Sequence, residues 1–361
     1  MKTIYRKSLA NSMVGLALVL GLVAAPSMSA QAQSADLTTV SRTDGPDRGP
    51  DLVEPSKTVA LRPGQKLRPS DFERMRQPYT IQRLTDRVYW LEVMGYSSTV
   101  VVGEQGVLVI DAPRDGRGAA MIDAIRDELT DLPITTLVYS HYHYDHVGDA
   151  NAYVEEAGRR GTTLRIVGTT AAKRQIERYG AKIPRPTEVI AVPRGRFEFE
   201  GSVIEMGTPP AGHSTDNSWI LLKDDGVLHS VDLVHPGLLE FPGFGLAEDL
   251  LGYEASVREL LTLDWQFLVA GHNNIGSHDD VQLVIDYFED VRGSVIASLG
   301  ETEFGSFLNE DKIFYAWFRD YADAVTTKAV ERLRPKWGEH VGFDVVAKSH
   351  ADKMLWHLYM H

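Results

Sequence analysis

The chain has 361 residues, is 43% hydrophobic and 24% charged, and carries a formal net charge of −13 without one cysteine. The absence of cysteine excludes a disulfide framework and a lipoprotein anchor. The acidity argues against nucleic-acid partners, because a strongly negative surface repels phosphate backbones.

The first segment, residues 1–32, reads as an export signal. Lys2, Arg6 and Lys7 give a positive start, Val14 to Ala25 a short apolar core, and Ala30-Gln31-Ala32 a small-x-small cleavage site. The apolar core is too short for a membrane anchor and is followed at once by small and polar residues. The expected product is a periplasmic or secreted protein cut near Ala32, with no membrane anchor. Its leader removes three positive charges, so the mature chain is more acidic still.

Residues 33–77 are rich in Pro, Gly, Asp, Arg and Ser, as in Asp44-Gly-Pro-Asp-Arg-Gly-Pro-Asp51. This composition predicts a linker-like segment, mobile or draped over the surface. Beyond it, buried-type runs predict strands at Tyr79–Leu84, Val88–Val93, Ser98–Val102 and Gly106–Ile110. Met121, Ile122, Ile125 and Leu129 share one face of a helix predicted over Gly116–Leu129. A strand over Ile134–Tyr139, a helix over Ala150–Ala157, a strand at Leu164–Gly168 and a helix at Ala171–Tyr179 follow. Phe197–Phe199 and Ser202–Met206 then pair as a hairpin, and further strands occupy Ser218–Leu222, Val227–Val231 and Phe267–Ala270. The last part differs: helical periodicity runs over Val281–Leu299, Lys312–Leu333 and Val345–Tyr359, with many aromatics, among them Phe314, Trp317, Trp337 and Trp356. This tail is read as a helical layer on the core, a cap on the site, or a homodimer surface.

The most informative stretch is His141-Tyr142-His143-Tyr144-Asp145-His146, in a chain with 12 histidines altogether. It follows a buried-type strand and precedes a helix, so it occupies a strand-to-helix turn. His141 and His143, two apart on an extended segment, point the same way. Asp145 and His146 come round the turn and face a second point. Isolated polar residues sit just past other buried-type strands: Asp111 after Val107–Ile110, His213 before Ser218–Leu222, Asp232 after Val227–Val231 and His272 after Phe267–Ala270. Strand ends are where open sheets place their sites.

In these residues the chain resembles the metallo-β-lactamase superfamily, over about residues 78–295. The resemblance implies an α/β fold, a four-layer αββα sandwich, here with a helical, aromatic C-terminal extension over 301–361 and a catalytic domain over 78–300. It implies two metals: His141, His143 and His213 hold the first, Asp145, His146 and His272 the second, and Asp232 bridges them. Asp111 takes the place of the strand-end aspartate that orients the ligands. Two Zn2+ per chain is the expected cofactor, with iron or manganese suited to the same donors. Two metals ~3.5–4 Å apart share a water, lower its pKa and polarise a carbonyl. Asp145 is then the candidate catalytic residue, holding the nucleophile and taking up its proton.

The expected activity is hydrolysis of a lactone, ester or related small carbonyl compound. Cysteine-ligated β-lactamases are excluded, and the histidine-only kind normally lacks a carboxylate at the position of Asp232, which resembles the lactonase and glyoxalase II branches. β-Lactam hydrolysis and an iron-dependent persulfide or oxygen oxidoreductase remain as alternatives. Candidate pocket residues are Tyr96 in an early hairpin, His235, and Phe241 and Phe244 in the mostly apolar stretch Leu238–Leu246. They point to a small, partly apolar substrate. His229 is read as a core or ligand-supporting residue, and His278, His340, His350, His357 and His361 as surface or packing residues.

Overall fold

The computed structural model describes residues 51–68 and 70–361. The expected signal peptide, its cut near Ala32 and residues 33–50 of the expected linker lie outside the described residues.

Two sheets form the centre. The first has seven strands in sequence order: β3 (Thr80–Arg83), β4 (Val88–Val93), β5 (Tyr96–Val102), β6 (Val107–Ile110), β7 (Ile134–Val138), β8 (Arg165–Thr169) and β9 (Glu188–Ile190). Its β3–β6 half is antiparallel and its β6–β9 half parallel. The second has six: β10 (Arg194–Phe199), β11 (Ser202–Gly207), β12 (Trp219–Leu222), β13 (Val227–His229), β14 (Phe267–Val269) and β15 (Ile275–Gly276), with β13 and β14 parallel.

Strand alternation explains why the sheets stack. On β4, Val88 and Trp90 face the second sheet while Leu91 and Val93 face outward. On β12, Ile220 and Leu222 face the first sheet and Trp219 and Leu221 the other way. These strands therefore bury both faces, and each large apolar side chain so covered contributes roughly 1.5–3 kcal/mol. The outer face of the first sheet is covered by α2 (Arg117–Glu128), α4 (Ala150–Arg159) and α5 (Thr170–Tyr179), through Met121, Ile125, Tyr153 and Ile176. The outer face of the second is covered by helices Leu250–Leu260, His278–Gly300, Phe314–Trp337 and Phe343–Met360. The result is the four-layer αββα sandwich that the sequence predicts, with its helical, aromatic C-terminal region present.

The last two helices share a single apolar cluster with the second sheet and with residues 281–295, including Tyr287, Phe288, Trp337, Phe343 and Met354. At the other end, residues 51–77 are packed. β1 (Leu52–Val53) pairs in parallel with β2 (Lys66–Leu67), and α1 (Asp71–Arg74) follows. Leu61 and Leu67 enter the core between the sheets. Arg74 Nε lies 2.8 Å from Glu92 Oε2, both side chains all but inaccessible. No periodicity marks this strap, because its anchors are single residues aimed at distant parts of the chain.

Candidate metal centre

The functional side chains gather at one edge of the sandwich, where strands of both sheets end. β6 delivers Asp111, β7 delivers Ser140 and His141, β13 leads to Asp232 and β14 to His272. Asp111 and Asp232 both adopt left-handed backbone, with φ of 69° and 64°. Aspartate tolerates this conformation better than a β-branched residue does. The motif itself contains a helical turn, α3 (Tyr144–Val147), which rotates Asp145 and His146 away from His141 and His143.

The structure brings the seven donor residues together in two groups. His141, His143, His213 and Asp232 form one cluster of donor atoms and Asp145, His146 and His272 a second, each within 4.8 Å. Asp232 lies between them. Its Oδ2 is 3.5 Å from His141 Nε2, 3.3 Å from His213 Nε2 and 3.0 Å from His146 Nε2, while Oδ1 is 3.1 Å from His272 Nε2. Asp145 Oδ2 is 3.6 Å from His146 Nε2 and 3.8 Å from His272 Nε2.

These are convergent contacts rather than aligned hydrogen bonds. His141 Nε2, both ring nitrogens of His146 and Asp232 Oδ2 are buried without a hydrogen-bond partner among the described residues. Buried polar atoms are ordinarily paired. His213 Nε2 and His143 Nδ1 lie within hydrogen-bond distance of one another at 2.9 Å, but unpaired donor atoms that converge on a common point suit metal ions, and imidazole with carboxylate is a donor set that zinc, iron or manganese accepts. Burial and the neighbouring His213 push His143 down to about 4. It is therefore neutral at physiological pH, the form that binds a cation. Burial opposes ionisation of Asp232, but His146, His213 and His272 together hold it well below the usual carboxylate range.

A polar layer fixes these rings. Asp111 is wholly buried: Oδ1 accepts Ser140 N–H at 2.9 Å, and Oδ2 accepts Ser140 Oγ–H at 2.7 Å and faces His229 Nε2 at 3.1 Å. His146 Nδ1 is 3.4 Å from the same Oδ2. Burial would raise Asp111, yet the adjacent His146 and His229 rings bring it down to about 2. His229 lies between Asp111 and Thr99 Oγ1, so it supports Asp111 and does not reach the metal cluster. His213 Nδ1 is 2.5 Å from the carbonyl of Gly245, which leaves Nε2 for the cluster. Gly245 stands in a left-handed turn, Gly243–Leu246, and a Cβ there would lie 2.8 Å from the Asp232 carbonyl.

Two supporting residues escaped the sequence reading. Asp216 is buried; it accepts Tyr142 N–H at 2.7 Å and Ser214 Oγ–H at 2.9 Å, tying the His213 loop to the histidine motif. Burial pushes its carboxyl up to about 7. Glu240 is buried beneath His235, its Oε2 2.5 Å from Nδ1. A carboxylate inside a short polar run before a strand, and one between apolar residues, were the available signals.

A cavity of about 490 Å3 opens over the cluster. His143, Asp145, His213, Asp232 and His272 form its polar side. Leu238, Leu239, Phe241, Leu246, Val345 and Val346 form an apolar side. Tyr96 and His235 line it as expected, each ring against His272, at centroid separations of 4.8 and 5.7 Å. Phe244 corrects the sequence reading. It is fully buried, stacked on His350 at 4.4 Å and against Phe288 at 4.9 Å, and does not line the cavity. The left-handed turn sends Phe241 and Phe244 to opposite sides of the loop. Of the remaining histidines, His350 is buried, His278 stacks on Trp265 and His361 is exposed. Gly342, Val345 and Val346, at the start of the last helix, close one wall of the cavity.

The chain is similar to several known proteins. The chain is 22% identical over 199 residues to the 2,4-dinitroanisole O-demethylase subunit alpha of Nocardioides sp. (strain JS1661), covering 54% of this chain and 57% of that protein. To the beta subunit it is 24% identical over 279 residues, covering 75% and 79%. The chain thus spans just over half the length of the alpha subunit. A metallo-beta-lactamase from Pontibacter korlensis superposes with a TM-score of 0.48 at 18% identity, over 58% of this chain and 97% of that one. Residues 91–272 match the sequence profile of the metallo-beta-lactamase superfamily, and that stretch contains every residue of the metal cluster. The chain therefore belongs to the metallo-β-lactamase superfamily, a family of hydrolases and oxidoreductases that generally bind metal ions.

Proposed function

We propose that this protein is an exported dinuclear zinc hydrolase acting on a lactone, ester or related small carbonyl substrate of partly apolar character. The observation that carries the reading is the pair of donor clusters meeting at Asp232, beside a cavity with one apolar wall. His141, His143 and His213 would hold one ion, Asp145, His146 and His272 the other, and Asp232 both. Two zinc ions, when bound, supply an acidified water as nucleophile and polarise the carbonyl it attacks.

The protein's own groups do the rest. Asp145 is partly exposed at the cavity floor and takes the proton released as the nucleophile adds. Tyr96 and His235 flank His272 and bracket the reacting end of the substrate. Phe241, Leu246, Val345 and Val346 hold the apolar remainder out of water. A second reading follows from the relatives named as O-demethylases of 2,4-dinitroanisole: an aryl methyl ether as substrate in the same cavity.

The test is metal analysis of the mature protein, purified without chelator, followed by a panel of lactones, aryl esters, β-lactams and aryl methyl ethers. Close to two zinc ions per chain with lactone or ester turnover is expected. Predominant iron with oxygen or persulfide consumption would overturn the hydrolase reading. Turnover confined to β-lactams or ethers would overturn the substrate class alone.

A further inference from the structure

The loop that carries His272 is held from both sides. Gly271 and Asn273, its neighbours, both have left-handed backbone, with φ of 81° and 62°. Asparagine tolerates this conformation better than a β-branched residue does, so the sequence allows the loop its tight turn. The fit is also tight: a Cβ on Gly271 would lie 2.8 Å from the ring of His146. On one side, β5 provides the restraint, with Ser97 N–H donating to the Gly271 carbonyl at 2.8 Å and Tyr96 bridging to His272.

On the other side the restraint comes from about 200 residues earlier in the chain. Leu67 N–H donates to Asn274 Oδ1 at 3.0 Å, and Asn274 Nδ2 donates back to the Leu67 carbonyl at 2.9 Å. The same Oδ1 accepts Ile275 N–H at 2.9 Å. Lys66 Nζ donates to the Ile275 carbonyl at 2.6 Å and pairs with Asp280, which caps the following helix by accepting Ser277 N–H at 2.7 Å. The Lys66 and Asp280 side chains are only 11% and 15% exposed, so the pair is shielded from solvent screening.

We propose that the strap of residues 51–68 is a positioning element for one metal site of the pair, with Lys66 as its key residue, acting through the Asn274–Ile275 backbone on His272. The inference rests on the dinuclear reading above. Asn273 lines the cavity, so the same strap also sets part of the wall that substrate meets. Lys66 touches neither substrate nor ligand atoms. Its effect is to keep the imidazole of His272 where Asp145 and Asp232 converge.

The experiment titrates zinc into the metal-free full chain by calorimetry with a competing chelator, for the wild type, Lys66→Met, Asn274→Ala and the control Arg62→Met. Arg62 belongs to the same strap but pairs with Asp51, away from the loop. The expected result is a 10- to 100-fold weaker affinity for one zinc equivalent in Lys66→Met and Asn274→Ala, the other equivalent unchanged, and the wild-type isotherm in Arg62→Met. A thermal melt of each metal-free protein monitors folding. Equal weakening of both equivalents in step with lost stability, or no weakening of either, overturns the proposal. Fewer than two equivalents in the wild type overturns the dinuclear reading itself, which separates the two failures.

Discussion

Asp111 offers the sharpest test of how the ligand rings are held. It touches no metal donor directly except His146, at 3.4 Å from Nδ1, yet it also accepts two bonds from Ser140, whose Oγ lies 3.0 Å from His141 Nδ1. One carboxylate thus steers a ring in each cluster. Asp111→Asn keeps the volume but replaces one acceptor oxygen with an NH2 donor. Whichever way the amide turns, it sets a donor against Ser140 N–H, or removes the acceptor that faces Ser140 Oγ–H and the ring nitrogens of His146 and His229. A buried polar group left unmatched costs about 1–3 kcal/mol. The lowering of Asp111 from 3.8 to about 2 corresponds to a charged form favoured by on the order of 2 kcal/mol. Both routes give the same scale, and 1.4 kcal/mol is tenfold in affinity. Zinc affinity of Asp111→Asn should therefore fall about 10- to 100-fold, and the metal-free protein should lose about 1–3 kcal/mol in urea unfolding. Chelator competition reads the first, circular dichroism the second. An unchanged affinity for both ions would refute the argument, because it would mean that the rings are oriented by packing alone.

Other consequences can be checked with single substitutions. Phe244→Ala should cost about 3–5 kcal/mol of stability, since the ring is fully enclosed by Tyr253, Tyr287, Phe288 and His350. Phe241→Ala should change stability by no more than about 0.5 kcal/mol and instead raise KM for apolar substrates; the reverse pattern would mean that the loop is misassigned. His350 titrates near 4 in the fold because of burial, against an ordinary value of 6.5. Between those values the unfolded chain binds a proton that the folded chain refuses, so stability is present above pH 6.5 and is lost as pH falls through 4. Metal-free wild type should lose roughly 3 kcal/mol more than His350→Gln between pH 7 and pH 4, and parallel stability curves would sink this assignment.

What the sequence discloses, and what it hides, follows from how each feature is encoded. The metal cluster is legible because its chemistry demands rare residue types at strand ends, and Asp111, Asp232 and His272 each stand within two residues of the end of a buried-type run. The strands are legible for the same local reason: Val88–Val93 runs as predicted, and Tyr79–Leu84 is shorter by a residue at each end. Helix Leu250–Leu260 went unread although the signal was present, with Asp249 as its capping residue and Leu250, Tyr253, Val257 and Leu260 on one face. The strap left no local trace. Lys66 meets Ile275 and Asp280 more than 200 positions away, and a pairing over that distance has no period to detect. The fates of Phe241 and Phe244 were hidden for a different reason. Successive left-handed residues at Gly243, Phe244, Gly245 and Leu246 break both the helical and the strand periodicity from which side-chain direction is inferred.

The site is built from two stretches of chain with different constraints. Every metal-cluster residue falls within 91–272, the part that matches the superfamily. The apolar wall comes from Leu238–Leu246 and from Val345 and Val346, and the last helix lies beyond the matched region. The two stretches are joined by several contacts: Leu239 N–H donates to the Val341 carbonyl at 3.0 Å, just before Gly342 turns the chain into that helix with a φ of 97°, Gly243 N–H donates to Ser349 Oγ at 3.0 Å, and Phe244 stacks on His350. Val345 is 79% exposed although it lines the cavity, so the wall stands at the cavity mouth rather than in its depth. Substitution there alters what can enter without disturbing a ligand or its supports. Under the proposed function, Val345→Ala is therefore expected to change KM across a series of apolar substrates while leaving zinc affinity unchanged, and a loss of zinc affinity in that variant would refute the separation of wall from donor cluster.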